Sequence, residues 1–206
     1  MPRTLRSDKV LLWVTFLLVG LSVVMVYSAT AGLGPEPTYR FPTKQLAWAV
    51  LGLLGLFVAM RVDYTEYRRP AVIWSLLAVT TVLLLSVFLF GERNGTRRWI
   101  ILGDLSMQPS ELAKLAVIIF AAALLERRMH RVNDPSYALK PLMIVTGGLV
   151  VLILAQPDFG TSVMIVAIVS IILFAAGLSY RFVLGGGLML LPPAMLLVWL
   201  SSYRWR

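Results

Sequence analysis

An all-α fold, a polytopic transmembrane helical bundle, is the class this sequence predicts. Three observations predict it. The chain is 59% hydrophobic over 206 residues, with a mean hydropathy of +0.83, well above the half-apolar composition of a soluble domain. The excess falls in blocks about as long as a bilayer-crossing helix, separated by short polar clusters. The alternating segments of about ten residues that mark a membrane β-barrel do not occur.

The pattern places seven helices. The first is Val10–Ser28. Arg3, Arg6 and Lys9 precede it and Ala29-Thr30-Ala31 mimics a signal-peptidase site. The apolar run from Val10 to Tyr27 exceeds a signal core of about 7–15 residues, so it is expected to stay uncleaved as a span. The second is Gln45–Met60, the third Ala71–Phe90 and the fourth Pro109–Leu125. The fifth is Pro141–Leu154 and the sixth Thr161–Ala176. The second and fifth are short for a core of about 30 Å and are expected to borrow flanking residues. The seventh, Phe182–Ser201, is interrupted by Gly185-Gly186-Gly187 and Pro192-Pro193. Such breaks either kink a packed helix or border a water-filled cavity. The whole chain, 1–206, reads as a single integral membrane domain.

Basic residues set the orientation. With the N-terminus inside, inner segments hold eleven lysines and arginines and outer segments seven, with Lys114 inside a span. The positive-inside rule then favours a cytoplasmic N-terminus. The net charge of +9 is dispersed over short loops, which argues against a nucleic-acid partner. The absence of cysteine excludes disulfides and thiolate chemistry. His130 sits in the basic cluster Glu126–Arg131 and reads as part of a solvated helix end. No second His or Cys joins it in a transition-metal site.

Parity then puts the 91–108 loop, the start of the fourth helix, the Gln156–Gly160 turn and the C-terminus on the outer side. Arg97, Arg98, Glu111, Lys114 and Asp158 therefore share one half of the membrane. Charge there is costly and usually has a partner or a role. Glu111 and Lys114 are three apart on one helical face. Either they are a capping acid and a snorkelling lysine, or they form a buried pair facing a polar cavity. Arg97 and Arg98, beside Trp99, either belong to an interfacial loop or grip a phosphate group with their forked guanidinium donors. Asn94-Gly95 is a turn signal. Asp158 either caps the sixth helix, with Thr161 three residues on, or serves a polar cavity or a cation. No nucleotide-binding loop, Ser/His/Asp arrangement or glycosidase carboxylate pair is identifiable.

At Asn94-Gly95-Thr96-Arg97-Arg98-Trp99-Ile100, Gln108-Pro109-Ser110-Glu111-Leu112-Ala113-Lys114 and Gln156-Pro157-Asp158-Phe159-Gly160-Thr161 the chain resembles the SEDS family (shape, elongation, division and sporulation; FtsW, RodA and SpoVE). Met25-Val26-Tyr27-Ser28-Ala29 and the double arginine before Trp99 look more like the FtsW branch. The resemblance implies a ten-helix protein of the bacterial inner membrane that polymerises lipid II, a peptidoglycan glycosyltransferase, with a class B penicillin-binding protein as partner. It implies that the sugar 4-hydroxyl of one lipid II attacks the anomeric carbon of another and expels undecaprenyl pyrophosphate. Arg97, Arg98 and Lys114 then offer charge to the leaving group, while Glu111 and Asp158 match family acids.

The acid implied to act as base lies in an outer loop beyond Arg206. The chain covers the N-terminal part of the family fold and alone is expected to be inactive. Dependence on a divalent cation stays open. Two other functions fit the same residues: a lipid II flippase or transporter, which intramembrane charges and a broken helix also suit, and a scaffold subunit of the cell-wall synthesis complex.

Overall fold

The computed structural model describes residues 8–32, 34–90, 96–102, 105–129 and 134–179. The expected seventh helix, the Asn94-Gly95 turn, Asp104, His130 and the C-terminal segment lie outside them. The chain divides into two compact units, Met1–Glu66 and Tyr67–Arg206.

The first unit is a helical hairpin of α1 (Lys9–Thr30) and α2 (Pro35–Arg61). Asp8 caps α1 by accepting from the backbone N–H groups of Val10 and Leu11 at 2.8 and 3.2 Å, satisfying donors that the first helical turn leaves over. The Ala29–Thr30 step lies within this continuous helix. Gly34, at φ 106°, makes the turn into α2, a conformation that only glycine adopts readily. The Gln45 amide donates to Ser22 Oγ at 3.2 Å and stitches the pair together.

The second helix starts ten residues earlier than its apolar run predicts, at Pro35. Pro35 suits the first turn, where the missing N–H costs nothing. Pro42 lies inside the helix and removes one ladder bond, and this polar, proline-rich stretch is what concealed the helix. Arg40 and Lys44 therefore ride on α2.

The second unit holds α3 (Pro70–Ser86), a hairpin of β1 (Ile100–Leu102) and β2 (Leu105–Met107), α4 (Pro109–Arg128), α5 (Lys140–Leu154) and α6 (Phe159–Ala175). The hairpin is absent from the sequence expectation. Three-residue strands fall below the length at which a period-2 pattern can be read. A single π-type turn at Pro135–Leu139 leads into α5, so the apolar span runs Ser136–Leu154. Asp134 starts that turn by accepting from the Ser136 hydroxyl at 2.7 Å. Both short helices thus borrow flanking residues, as expected. Gly177, at φ 88°, ends α6: its N–H and that of Leu178 bond back to Phe174 O and Leu173 O at 3.0 Å, closing the last carbonyls.

Among the described residues, four helices are long and apolar enough to cross a membrane: Lys9–Thr30, Tyr39–Arg61, Pro70–Leu89 and Ser136–Leu154. Helix α6 is apolar but shorter, and α4 carries Glu111, Lys114, Glu126, Arg127 and Arg128. α4 packs on α3, α5 and α6. Its buried face is small: Ala113, Ala116, Val117 and Ala121 are at most 1% exposed. Lipid tails are as apolar as leucine, so helices associate in a bilayer by close packing, which small residues permit. Large side chains such as Trp74, Val82, Ile144, Val163 and Phe174 face outward, as lipid-facing residues do. At the far end of α4, Glu126 pairs with Arg68 at 2.8 Å. Arg127 donates to Arg68 O, and Arg128 lies over the Tyr137 ring.

Candidate functional site

The site is built where the β1–β2 hairpin, α4 and α6 meet. Ile100 pairs with Met107 across the hairpin. Arg98, two residues before Ile100, and Gln108, one after Met107, therefore flank the same open end. Pro109 follows in the first turn of α4, and Gln108 stands at the N-cap position with a side chain that makes no bond to its own helix. Its amide is turned elsewhere, to Asp158.

Asp158 is the centre of the arrangement. It N-caps α6, and its Oδ1 accepts from Thr161 N–H at 3.3 Å. Its Oδ2 accepts from Gln108 Nε2 at 2.7 Å, from Thr161 Oγ1 at 2.8 Å and from Ser110 Oγ at 3.2 Å. Arg98 Nη1 stands 3.8 Å from Oδ1. Asp158 is 4% exposed. Burying a carboxylate is tolerable only when donors and a countercharge surround it, and both are present. The capping reading of Asp158 is therefore correct, yet the same carboxylate also joins α4 and the Arg98 segment. Its acceptor capacity is turned inward to protein donors.

Arg98 is partly exposed, its side chain at 34%. Its Nε is buried and has no hydrogen-bond partner among the described residues. The guanidinium thus turns Nη1 toward Asp158, with about a third of the side chain exposed. Arg97 is exposed and Trp99 half-buried.

Glu111 and Lys114 pair at 2.8 Å, as their spacing predicts. The pair is not buried: Glu111 is 60% and Lys114 24% exposed at the side chain. Ser110 is fully buried against Asp158, and the next residue of a helix is turned by about 100°, so Glu111 faces outward. Of the two readings, the buried pair is the one the exposure of Glu111 rules out. Lys114 lies one turn along from Ser110, partly covered, with its amine held by Glu111.

The structure thus brings Arg98 and Asp158 together and keeps Glu111–Lys114 as a neighbouring pair. Gln108, Ser110 and Thr161 form the rest of the network and were not singled out as site residues by sequence reasoning. The available signal was positional: polar residues at helix entries next to long apolar runs. Among the described residues, no group of three or more His, Cys, Asp or Glu side chains gathers as metal ligands.

A family model described as cell cycle protein, FtsW/RodA/SpoVE, matches residues 9–206. The chain is 36% identical over 212 residues to a "Probable peptidoglycan glycosyltransferase FtsW" of Geobacter sp. (strain M18), covering all of this chain and 57% of that protein. Among solved structures, the crystal structure of the Thermus thermophilus rod shape determining protein RodA matches with a TM-score of 0.72 at 32% identity, over 92% of this chain and 61% of RodA. A chain from a structure titled "Structural coordination of polymerization and crosslinking by a peptidoglycan synthase complex" matches with a TM-score of 0.71 at 29% identity, over 97% of this chain and 57% of that one. The chain therefore spans a little over half the length of the relatives it matches.

Proposed function

The chain belongs to the FtsW/RodA/SpoVE family of cell cycle membrane proteins, and on that premise we propose that it serves in peptidoglycan glycosyl transfer, the polymerisation of lipid II. In this reading residues 1–206 form one integral domain of the bacterial inner membrane with a cytoplasmic N-terminus. A class B penicillin-binding protein is the partner. The FtsW-like name of the 36% identical relative supports the activity, and the synthase-complex structure supports the partner.

The observation that carries the reading is Arg98 held 3.8 Å from a buried acid with its side chain 34% exposed, next to the exposed Arg97. Two guanidinium groups at the edge of an apolar bundle suit the pyrophosphate of a lipid-linked sugar. As the glycosidic bond to the donor breaks, negative charge grows on the departing undecaprenyl pyrophosphate. Positive groups fixed beforehand stabilise that charge without reorganising. Lys114, tied to Glu111 at 2.8 Å, supplies a third cation on the neighbouring face. Asp158 governs the electrostatics of this cluster.

The test is glycan formation from lipid II in detergent, where no membrane needs crossing, by protein of the family's full length carrying this sequence. Polymer made by the wild type, and cut by about 100-fold in the Arg97→Ala, Arg98→Ala double variant, is expected if both groups stabilise the departing charge. Undiminished polymerisation with normal expression sinks the role of the arginines. Absence of polymer, with lipid II transport across vesicles instead, favours a transporter.

A further inference from the structure

The turn Gln156-Pro157-Asp158 carries two buried polar side chains that reach to different elements. Gln156 is fully buried, and its Nε2 donates to Leu84 O at 2.9 Å. The α-helical ladder of α3 closes with Val87 N–H on Leu83 O, and a 3₁₀ turn follows. Leu84 O is thus the first carbonyl left outside that ladder, and Gln156 satisfies it. Two residues on, Asp158 gathers Gln108 and Ser110 from the entry of α4. One short turn therefore ties together the end of α3, the start of α4 and the start of α6. Arg98 rests against it.

From this we infer that Asp158 is a positioning residue: its carboxylate, itself fixed by Gln108, Ser110 and Thr161, holds the Arg98 guanidinium in the orientation that meets an anionic ligand, and does not touch that ligand. The inference rests on reading Arg98 as a pyrophosphate contact. A carboxylate has about four lone-pair sites. Here three donors occupy Oδ2, a backbone N–H occupies Oδ1, and the residue is 4% exposed. The Oδ1 site that is left stands 3.8 Å from Arg98 Nη1, so little of the carboxylate is open to a substrate hydroxyl. The sign of the effect separates positioning from direct contact. An acid that faces an anionic ligand repels it, so neutralising that acid tightens binding. An acid that only orients an arginine has the reverse effect, because its loss frees the guanidinium to wander.

The experiment uses the 206-residue chain in lipid nanodiscs with undecaprenyl pyrophosphate as the probe. Asp158→Asn, Arg98→Ala and the double variant are compared in affinity and in the rate at which phenylglyoxal modifies Arg98, read by mass spectrometry, with Arg127 as internal reference. A pair in contact couples strongly, so Asp158→Asn is expected to weaken binding about tenfold. The double variant is expected to bind no worse than Arg98→Ala alone. Arg98 is expected to react several-fold faster in Asp158→Asn while Arg127 is unchanged. Equal or tighter binding by Asp158→Asn overturns the inference, as does a double variant weakened by the product of the two single effects.

If the wild type binds no probe, the pyrophosphate reading of Arg98 fails by itself. The modification rate then still decides the positioning role, and an unchanged rate in Asp158→Asn overturns it. Should Asp158→Asn fail to fold, Gln108→Ala and Ser110→Ala loosen the carboxylate without removing its charge. They are expected to raise Arg98 reactivity in the same direction, and no change in either refutes the proposal.

Discussion

Replacing each of the two acids by alanine should separate them sharply in stability. Asp158→Ala removes the acceptor from the Ser110 and Thr161 hydroxyls, from the Gln108 amide and from the α6 N-terminal N–H of Thr161. Ser110 is 0% and Thr161 8% exposed, so neither hydroxyl finds water. Neutral side-chain hydrogen bonds between membrane helices average about 0.6 kcal/mol, and an ionised acceptor doubles that. Lost cap bonds add about 1 kcal/mol. Gln108 is only half-buried and can turn outward, so it adds little. The Arg98 pair, at 3.8 Å with a 34% exposed side chain, is partly screened and adds little. The expected loss is about 3 kcal/mol.

Glu111→Ala breaks an ion pair whose acid is 60% exposed, and exposed pairs contribute at most about 1 kcal/mol. Reversible unfolding of the chain in mixed micelles, followed by tryptophan fluorescence, measures both. Asp158→Ala within about 1 kcal/mol of Glu111→Ala would refute the reasoning, because it would mean that the buried donors have other acceptors.

Three further outcomes follow from the same structure. Gln156→Ala leaves Leu84 O without a donor in a site 0% exposed, and is expected to cost about 2 kcal/mol in the same unfolding assay. Ala116→Phe forces a ring into the 1%-exposed face of α4 and should destabilise by about 1–3 kcal/mol or more, whereas Val163→Phe on the 62%-exposed face of α6 should be near neutral. Pro42→Ala restores a ladder bond inside α2 and is expected to raise the stability of that hairpin, by up to about 3 kcal/mol, read by hydrogen exchange of residues 38–46.

The division between what was legible and what was not can be followed residue by residue. Glu111 and Lys114 were paired from a spacing of three on one helix, because intrahelical neighbours are fixed by local geometry alone. Asp158 as a cap was legible for the same reason, since Thr161 is a near neighbour in sequence. Its contacts with Gln108 and Ser110 were not: they cross from one helix entry to another and depend on where α4 and α6 pack. Whether Glu111 is buried was left open because charge near a membrane helix says nothing about which flank faces neighbours. Residues 35–44 were missed as helix because prolines and polar side chains hid an element that apolar periodicity does not report.

The sequence by itself determined the helical membrane class, the positions of the described apolar spans and the family. Each of these follows from the cost of unsatisfied backbone in hydrocarbon, which forces long apolar runs into helices wherever they occur, and from three short motifs. Only the tertiary structure decided that Asp158 is the shared acceptor of the α4 entry and the α6 start. It alone decided that Arg98 rests on that acid while Glu111 faces outward, and that Gln156 closes the end of α3. Those facts arise from the packing of small residues between α3, α4 and α6, where a displacement of about an ångström suffices to make or break a hydrogen bond, and no pattern along the chain encodes that distance.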